Sequence, residues 1–289
     1  MHSWPADYSG AWTLAQPVQR SGVGLHSGSH ATVRLQPSDA ARDGYWVGRL
    51  DRPSQPLQRL QPDLVAETRL CTALALDSGP LATVEHLLAA LAGCGVSQAE
   101  IWVDGHEIPL LDGSAQGWVE AIAEAGLQSL GDRVQSSLRA PITVQQGRSF
   151  ATALPATTLQ LAAAVEYPQP AIGSQLFSLE LTPQAFVESI APARTFGFKD
   201  QIDQLRAAGL IQGGALDNAL VCDGDQWLNP PLRFADEPVR HKLLDLLGDL
   251  ALAGLPMAQV FAYRGSHGLH TALAAALSDA LAPQAASAP

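Results

Sequence analysis

The residues best suited to chemistry in this chain stand in an unlikely setting, the segment PVRHKLLDLLGDLALAG from Pro238 to Gly254. Its Leu and Ala content predicts an apolar helix, yet His241, Asp245 and Asp249 recur in it every fourth residue. At about 3.6 residues per turn, that spacing stacks all three on nearly one stripe. An imidazole and a carboxylate at i and i+4 can present a nitrogen and an oxygen to one point, which lets a helix supply two ligands to a metal ion. An isolated H-x-x-x-D is more often a helical ion pair. Here Leu flanks the pair, so the face is expected to be buried, where unpaired charge is expensive.

A second segment, TVEHLLAALAGCG (Thr83 to Gly95), shares V-x-H-x-L with VRHKL, and His86 and His241 fall in register 155 residues apart (241 − 86). His86 is therefore a candidate third ligand. His, His and Asp leave a fourth position for water, the catalytic rather than the structural zinc arrangement. Glu85 precedes His86 and points about 100° away from it on a helix, a direction from which a carboxylate can act on that water as general base. The alternative for Glu85 is a solvated surface carboxylate. Asp249, one turn beyond Asp245, needs a partner. A His held by a buried carboxylate is oriented and stays protonated more readily. His267 and His270, in the Gly-rich stretch RGSHGLH, read as a loop leading into the last helix and are the available imidazoles. His2 and His30 read as surface residues.

The elements that must position these groups alternate. HATVRLQP and QAEIWVDG have the period of strands, whereas TVEHLLAALAGCG and QGWVEAIAEAGL have the period of helices. DGHEIPLLDGSA (104–115) is loop chemistry. The internal repeat predicts two similar αβ halves facing each other, with a boundary near 127–138. We divide the chain into a first domain at 1–127, a second at 128–280 and a tail at 281–289 expected to be disordered. The second half carries an insert at 198–223, read as a strand end, a short amphipathic helix with Ile202 and Leu205 on one side, a Gly213-Gly214 turn and a return strand. No counterpart is evident in the first half.

Composition narrows the partners. With 17 basic and 28 acidic residues the formal charge is −11, which argues against a nucleic-acid partner. Hydrophobic residues make up 47% and charged residues 16%, as in an ordinary soluble protein. Three cysteines without CxxC spacing suggest reduced thiols in a cytosolic protein and no cysteine-based metal site. Neither a signal peptide nor a run of about 18 apolar residues is present, so a transmembrane segment is not expected.

Taken together, SGVGLHSG (21–28), RLCTAL (69–74), TVEHLLAALAGCG (83–95), EIPLLDGSA (107–115), ARTFGF (193–198), GGALDNALV (213–221), LRFADEPVRHKLLDLLGDLALAG (232–254) and SHGL (266–269) closely resemble the UDP-3-O-acyl-N-acetylglucosamine deacetylase family, the zinc amidases of lipid A biosynthesis. The segments run in the family's order from near residue 20 to near 270. The resemblance implies an α+β fold of two similar two-layer αβ domains, with helices sandwiched between the sheets and a βαβ insert in the second that receives the substrate's acyl chain. It implies one catalytic Zn2+ per chain, with Fe2+ as the alternative in cells, on the same three ligands, His86, His241 and Asp245. It makes Glu85 the general base, His267 the positively charged stabiliser or acid with Asp249 as its partner, and Thr195 a hydrogen-bond donor to the developing oxyanion. Lys242 and Phe196 would meet substrate, Tyr167 would stack on uracil beside Glu166, Arg148 is the candidate phosphate partner, and Ile202 and Leu205 would line the acyl passage. The expected protein is a cytoplasmic monomer acting on a small UDP-acyl-sugar; the alternative is a zinc amidohydrolase of a different acylated or nucleotide-sugar substrate. The sequence departs from the family pattern at His270, where Asn is usual, at His106, where Pro is common, in the order GSH before the catalytic His, and in LNPPLRF, where two prolines replace Gly.

Overall fold

The computed structural model describes residues 4–282 apart from 40, 134 and 230. His2, one of the two prolines of LNPPLRF and all but the first two residues of the expected tail lie outside the described residues. Six α-helices are present among those described: α1 (Glu85–Gly93), α2 (Gln116–Ala125), α3 (Pro183–Ser189), α4 (Lys199–Ala207), α5 (Glu237–Leu250) and α6 (His267–Leu281).

Two five-stranded sheets frame the molecule. The first runs Val18–Val23, His30–Gln36, Gln98–Val103, Gly44–Arg49, Gln58–Arg59; the second runs Ile142–Gln146, Ser149–Pro155, Ala258–Tyr263, Gln160–Glu166, Ser174–Glu180. In chain order, both read 1-2-5-3-4. In both the last strand enters the middle and lies parallel to the third, 98–103 beside 44–49 and 258–263 beside 160–166. Alternation does the local work: Ala31, Val33 and Leu35 turn inward from the first sheet, and Leu161, Ala163 and Val165 from the second. In each half a helix precedes the central strand (α1, α5) and another follows it (α2, α6). The fold is the expected α+β sandwich, and the internal repeat corresponds to its two halves.

α1 and α5 pack against each other between the sheets. All nine residues of α1 are buried, as are Val239, Leu243, Leu244, Leu246, Leu247 and Leu250 of α5. Apolar surface on every side is what a helix with neighbours on every side requires. The contact is close because Gly248 is there: a Cβ at that position would overlap the Glu85 carbonyl oxygen.

Three details differ from the sequence reading. Leu127–Asp132 pairs along its length with Gly10–Leu14, so a division at 127/128 would cut a strand that belongs with the first half. The insert begins earlier than 198, with Phe196–Phe198 parallel to Leu220–Asp223, α4 crossing between them and Gln226–Trp227 adding a third strand. The first half does have a counterpart, an antiparallel three-stranded sheet of Val65–Glu67, Ala73–Leu76 and Gly79–Leu81. Gly213 and Gly214 do lie in a turn, the Gly214 N–H donating to the Ile211 carbonyl at 3.1 Å, but the positive φ values after α4 belong to Gly209 and Ile211. Gly213 instead allows close approach to the 24–28 loop, donating its N–H to the Leu25 carbonyl at 3.0 Å.

Candidate metal centre and active site

His86 opens the second position of α1, and His241 and Asp245 face it from α5. His241 Nε2 lies 3.3 Å and His86 Nε2 3.7 Å from Asp245 Oδ1. The three side chains are almost fully buried, and the separation of their ligand atoms matches one shared ion: bonds of about 2.0–2.1 Å in a tetrahedron place neighbouring ligand atoms about 3.3–3.4 Å apart. The donors fit a cation for a second reason. His241 Nδ1 lies 3.0 Å from the Ala193 carbonyl, which only an N–H can satisfy, so Nε2 carries the lone pair toward Asp245. Burial lowers the pKa of both histidines, His86 to about 3 with help from its neighbour His241. Two neutral imidazoles thus turn toward a carboxylate oxygen that accepts no hydrogen bond among the described residues. A divalent cation between them would resolve that arrangement.

Lys242 donates to the other Asp245 oxygen at 2.8 Å. Burial opposes ionisation of Asp245, but His241 and Lys242 outweigh it and hold the carboxyl well below the usual range. Upstream, Glu237 at the start of α5 is fully buried and takes the Arg194 backbone N–H at 3.0 Å and its guanidinium at 2.8 Å. That pair fixes the segment whose preceding residue, Ala193, orients His241. Thr195 follows, held by Gly113 and Leu220 through its backbone.

Glu85 is the first residue of α1 and is buried, which removes the reading as a solvated surface carboxylate. Its Oε2 accepts the Thr72 N–H at 3.0 Å and its Oε1 lies 4.0 Å from His267 Nε2. Burial pushes its pKa up to about 7, partly offset by His267, a range suited to a general base. His267 Nδ1 lies 2.9 Å from Asp249 Oδ2. Burial would lower the imidazole, but Asp249 and Glu85 outweigh it and raise it to about 9. His267 and His270 belong to the first turn of α6 and not to a loop, with Ser266 as N-cap accepting from the Leu269 N–H.

An apolar cavity of about 410 Å³ adjoins these groups. Thr195 and Lys242 line it together with Phe196, Phe198, Ile202, Leu205, Ile211 and Leu216. Tyr167 lines it too, in an aromatic cluster with Phe196 and Phe198 at 5.6 and 5.5 Å. Glu166 and Arg148 lie on exposed surface outside the cavity lining, Glu166 accepting the Tyr263 hydroxyl at 2.6 Å. His106 is exposed, 3.2 Å from the Pro80 carbonyl, and His30 is exposed as expected.

Sequence reasoning missed several participants. His26 is buried in the cavity lining, and neither ring nitrogen has a partner among the described residues. Its loop is held by buried Glu107, which accepts the His26 and Ser27 N–H groups at 2.8 Å each and the Thr83 hydroxyl at 3.0 Å. Thr83 itself sits at φ +59, costly for a β-branched residue, two residues before Glu85. The signal available for His26 was its place in SGVGLHSG; Thr72 and the Ala193 carbonyl offered none, because they act through backbone groups or a small hydroxyl.

A helix pair that joins two duplicated sheets, with convergent metal-type donors, a buried carboxylate and an oriented imidazole, defines an amide hydrolase of the deacetylase type. The chain belongs to the LpxC family, UDP-3-O-acyl N-acetylglycosamine deacetylase, whose model matches residues 11–279. A UDP-3-O-acyl-N-acetylglucosamine deacetylase of Trichormus variabilis is 50% identical over 269 residues, covering 91% of this chain and 96% of its own. The protein of that name from Synechocystis sp. is 48% identical over 271 residues, 92% of this chain and 98% of its own. An Arabidopsis thaliana relative, which carries the name "Probable UDP-3-O-acyl-N-acetylglucosamine deacetylase 1, mitochondrial", is 39% identical over 288 residues, 91% of this chain and 86% of its own. No helix among the described residues is long and apolar enough to cross a membrane.

Proposed function

We propose that the protein hydrolyses the N-acetyl group of UDP-3-O-acyl-N-acetylglucosamine, giving the free amine and acetate, as a step of lipid A biosynthesis. The observation that carries the proposal is the convergence of His86, His241 and Asp245 beside Glu85, joined through Lys242, which bonds Asp245, to an apolar cavity that Lys242 also lines. His86, His241 and Asp245 would hold a divalent ion, Zn2+ with Fe2+ as the alternative. When bound, the ion supplies Lewis acidity, which acidifies water and polarises the amide carbonyl.

The protein's own groups do the rest. Glu85 accepts the proton of the attacking water. Protonated His267, aimed by Asp249, stabilises the negative charge that develops on the acetamide oxygen, with the Thr195 hydroxyl as a second donor. A proton delivered to nitrogen then expels the amine. The cavity takes the acyl chain, where each buried CH₂ contributes about 0.8 kcal/mol before losses. Lys242 and Phe196, at the end nearest the ligands, would meet the sugar, and Tyr167 the nucleotide. We assign Glu166 and Arg148 only an outer role, because both stand away from the cavity lining. The three buried free cysteines support a reducing compartment, the cytoplasm.

The test is mass spectrometry of acetate release from UDP-3-O-acyl-N-acetylglucosamine, with and without a chelator. Release that the chelator abolishes is expected. Failure to act on this substrate, with turnover of another N-acetylated compound, would move the protein to a different amidohydrolase substrate.

A further inference from the structure

Asp249 is fully buried and receives more donors than a partner for one histidine needs. Its Oδ1 takes the Thr72 hydroxyl, and its Oδ2 takes two imidazoles, His267 at 2.9 Å and His270 at 3.1 Å. We propose that His270 is a positioning residue for the reaction, its Nδ1–H holding Asp249 in the orientation that aims His267; this rests on the deacetylase reading above for the role of His267.

Chemistry settles the tautomer. Asp249 Oδ2 can accept from both rings only if each presents an N–H, so neutral His270 carries its proton on Nδ1. Its Nε2 is then a bare acceptor, buried and without a partner among the described residues. Turning the ring over would not relieve that, because it would carry Nδ1–H away from Asp249. Gly265 packs against the ring so closely that a Cβ there would overlap Nε2. Burial also lowers the pKa of His270, consistent with a neutral donor.

A carboxylate with one partner can rotate about its Cβ–Cγ bond, whereas one gripped at both oxygens cannot. Thr72 and His270 together supply that grip from opposite sides. The second donor on Oδ2 also draws charge away from His267, so the basicity of His267 answers to His270. The other titratable groups facing His267 are Glu85 and His86 from α1, His241 and Asp245 from α5 and His26 from the 24–28 loop, and none of them is altered by a substitution at position 270. What the position needs is an N–H donor two bonds beyond Cβ. Asn places its amide Nδ2 there; Leu has the shape of Asn and no donor.

The experiment compares the parent with His270→Asn and His270→Leu. His270→Asn should keep the alkaline limb of the pH profile at the parent's position. In His270→Leu more charge stays on Oδ2 facing His267, so its imidazolium is stabilised and the limb should move up by roughly half to one pH unit, the size expected for one neutral hydrogen bond. kcat should fall and KM should not. A limb that stays in place in His270→Leu, or that moves equally in His270→Asn, overturns the proposal. NMR of isotope-labelled histidines in the metal-free parent gives an independent check needing no variant and no turnover. It should find His270 as the Nδ1–H tautomer; the Nε2–H form would overturn the proposal even if the deacetylase reading stands, and absence of acetate release would overturn only the latter.

Discussion

Helices α1 and α5 hold equivalent places in two sheets of the same strand order, and at the offset of 155 residues their sequences can be compared side by side. His86 and His241 correspond, and their rings lie 5.0 Å apart, nearly perpendicular. Around them the helices part. Glu85 corresponds to Arg240, Ala90 to Asp245, Cys94 to Asp249 and Leu87 to Lys242. Arg240 turns away from the reaction, sandwiched between Phe177 and Phe234 at 3.9 and 4.3 Å and bonded to Asp236 at 2.6 Å. The duplicated scaffold supplies position, and on the proposed reading the differences between its copies would supply the chemistry: the base from the first half, the carboxylate ligand and the histidine partner from the second.

The largest effects should come from the shared pair. His86→Ala and His241→Ala should each lose both metal and activity, since two protein ligands hold zinc poorly. Metal analysis of the purified variants with an acetate assay checks this, and a fully metallated, active His241→Ala protein would sink the ligand assignment. The next pair should separate. Glu85→Ala should keep the metal while the rate falls roughly 10²–10⁴-fold. Arg240→Ala should leave turnover intact and cost about 1 kcal/mol of stability, read by chemical denaturation, from its stacking and ion pair. Equal losses of activity in both would break the comparison.

The second half's Asp249 should appear in the pH profile. With His267 raised to about 9, the imidazolium persists below that pH, so turnover should hold on the near side and fall as pH rises through 9. The same shift contributes stability that is complete below about 6.5 and lost as pH rises through 9. His267→Gln should remove the limb while retaining metal. The smallest effect on chemistry should come from the insert, whose parallel strand–helix–strand form its antiparallel counterpart in the first half does not share. Leu205→Asn or Ile202→Asn should lower kcat/KM for a long-acyl substrate well beyond the loss for one lacking the chain; an equal loss for both would reduce the insert to a structural support.

Much of this was legible because it is periodic. The V-x-H-x-L repeat and the i, i+4 spacing of His241 and Asp245 carry the halves and the convergent donors in plain view. Helix α6 was legible only from its second turn, since Gly265 and Gly268 dilute the helical signal around His267, although Ser266 is an ordinary N-cap. The strand at 127–132 was hidden because LQSLGD is exposed and polar along most of its length and pairs with a strand more than a hundred residues earlier. The small sheet at 65–81 is built of strands of only three or four residues, too short for any period to show. The hydrogen bonds of Thr72 and Ala193 depend on tertiary placement alone.

The common order 1-2-5-3-4 has a consequence for descent. A single half pairing with a copy of itself would form a symmetric dimer, with one histidine from each chain meeting at the two-fold axis. Such a dimer would already offer two imidazoles to an ion, but it could not place a base on one side and an acidic ligand on the other, because symmetry would duplicate each. Joining the two copies in one chain lifts that constraint. On this view a symmetric pair could offer metal-type donors, whereas a base on one side and an acidic ligand on the other require two copies that are free to differ.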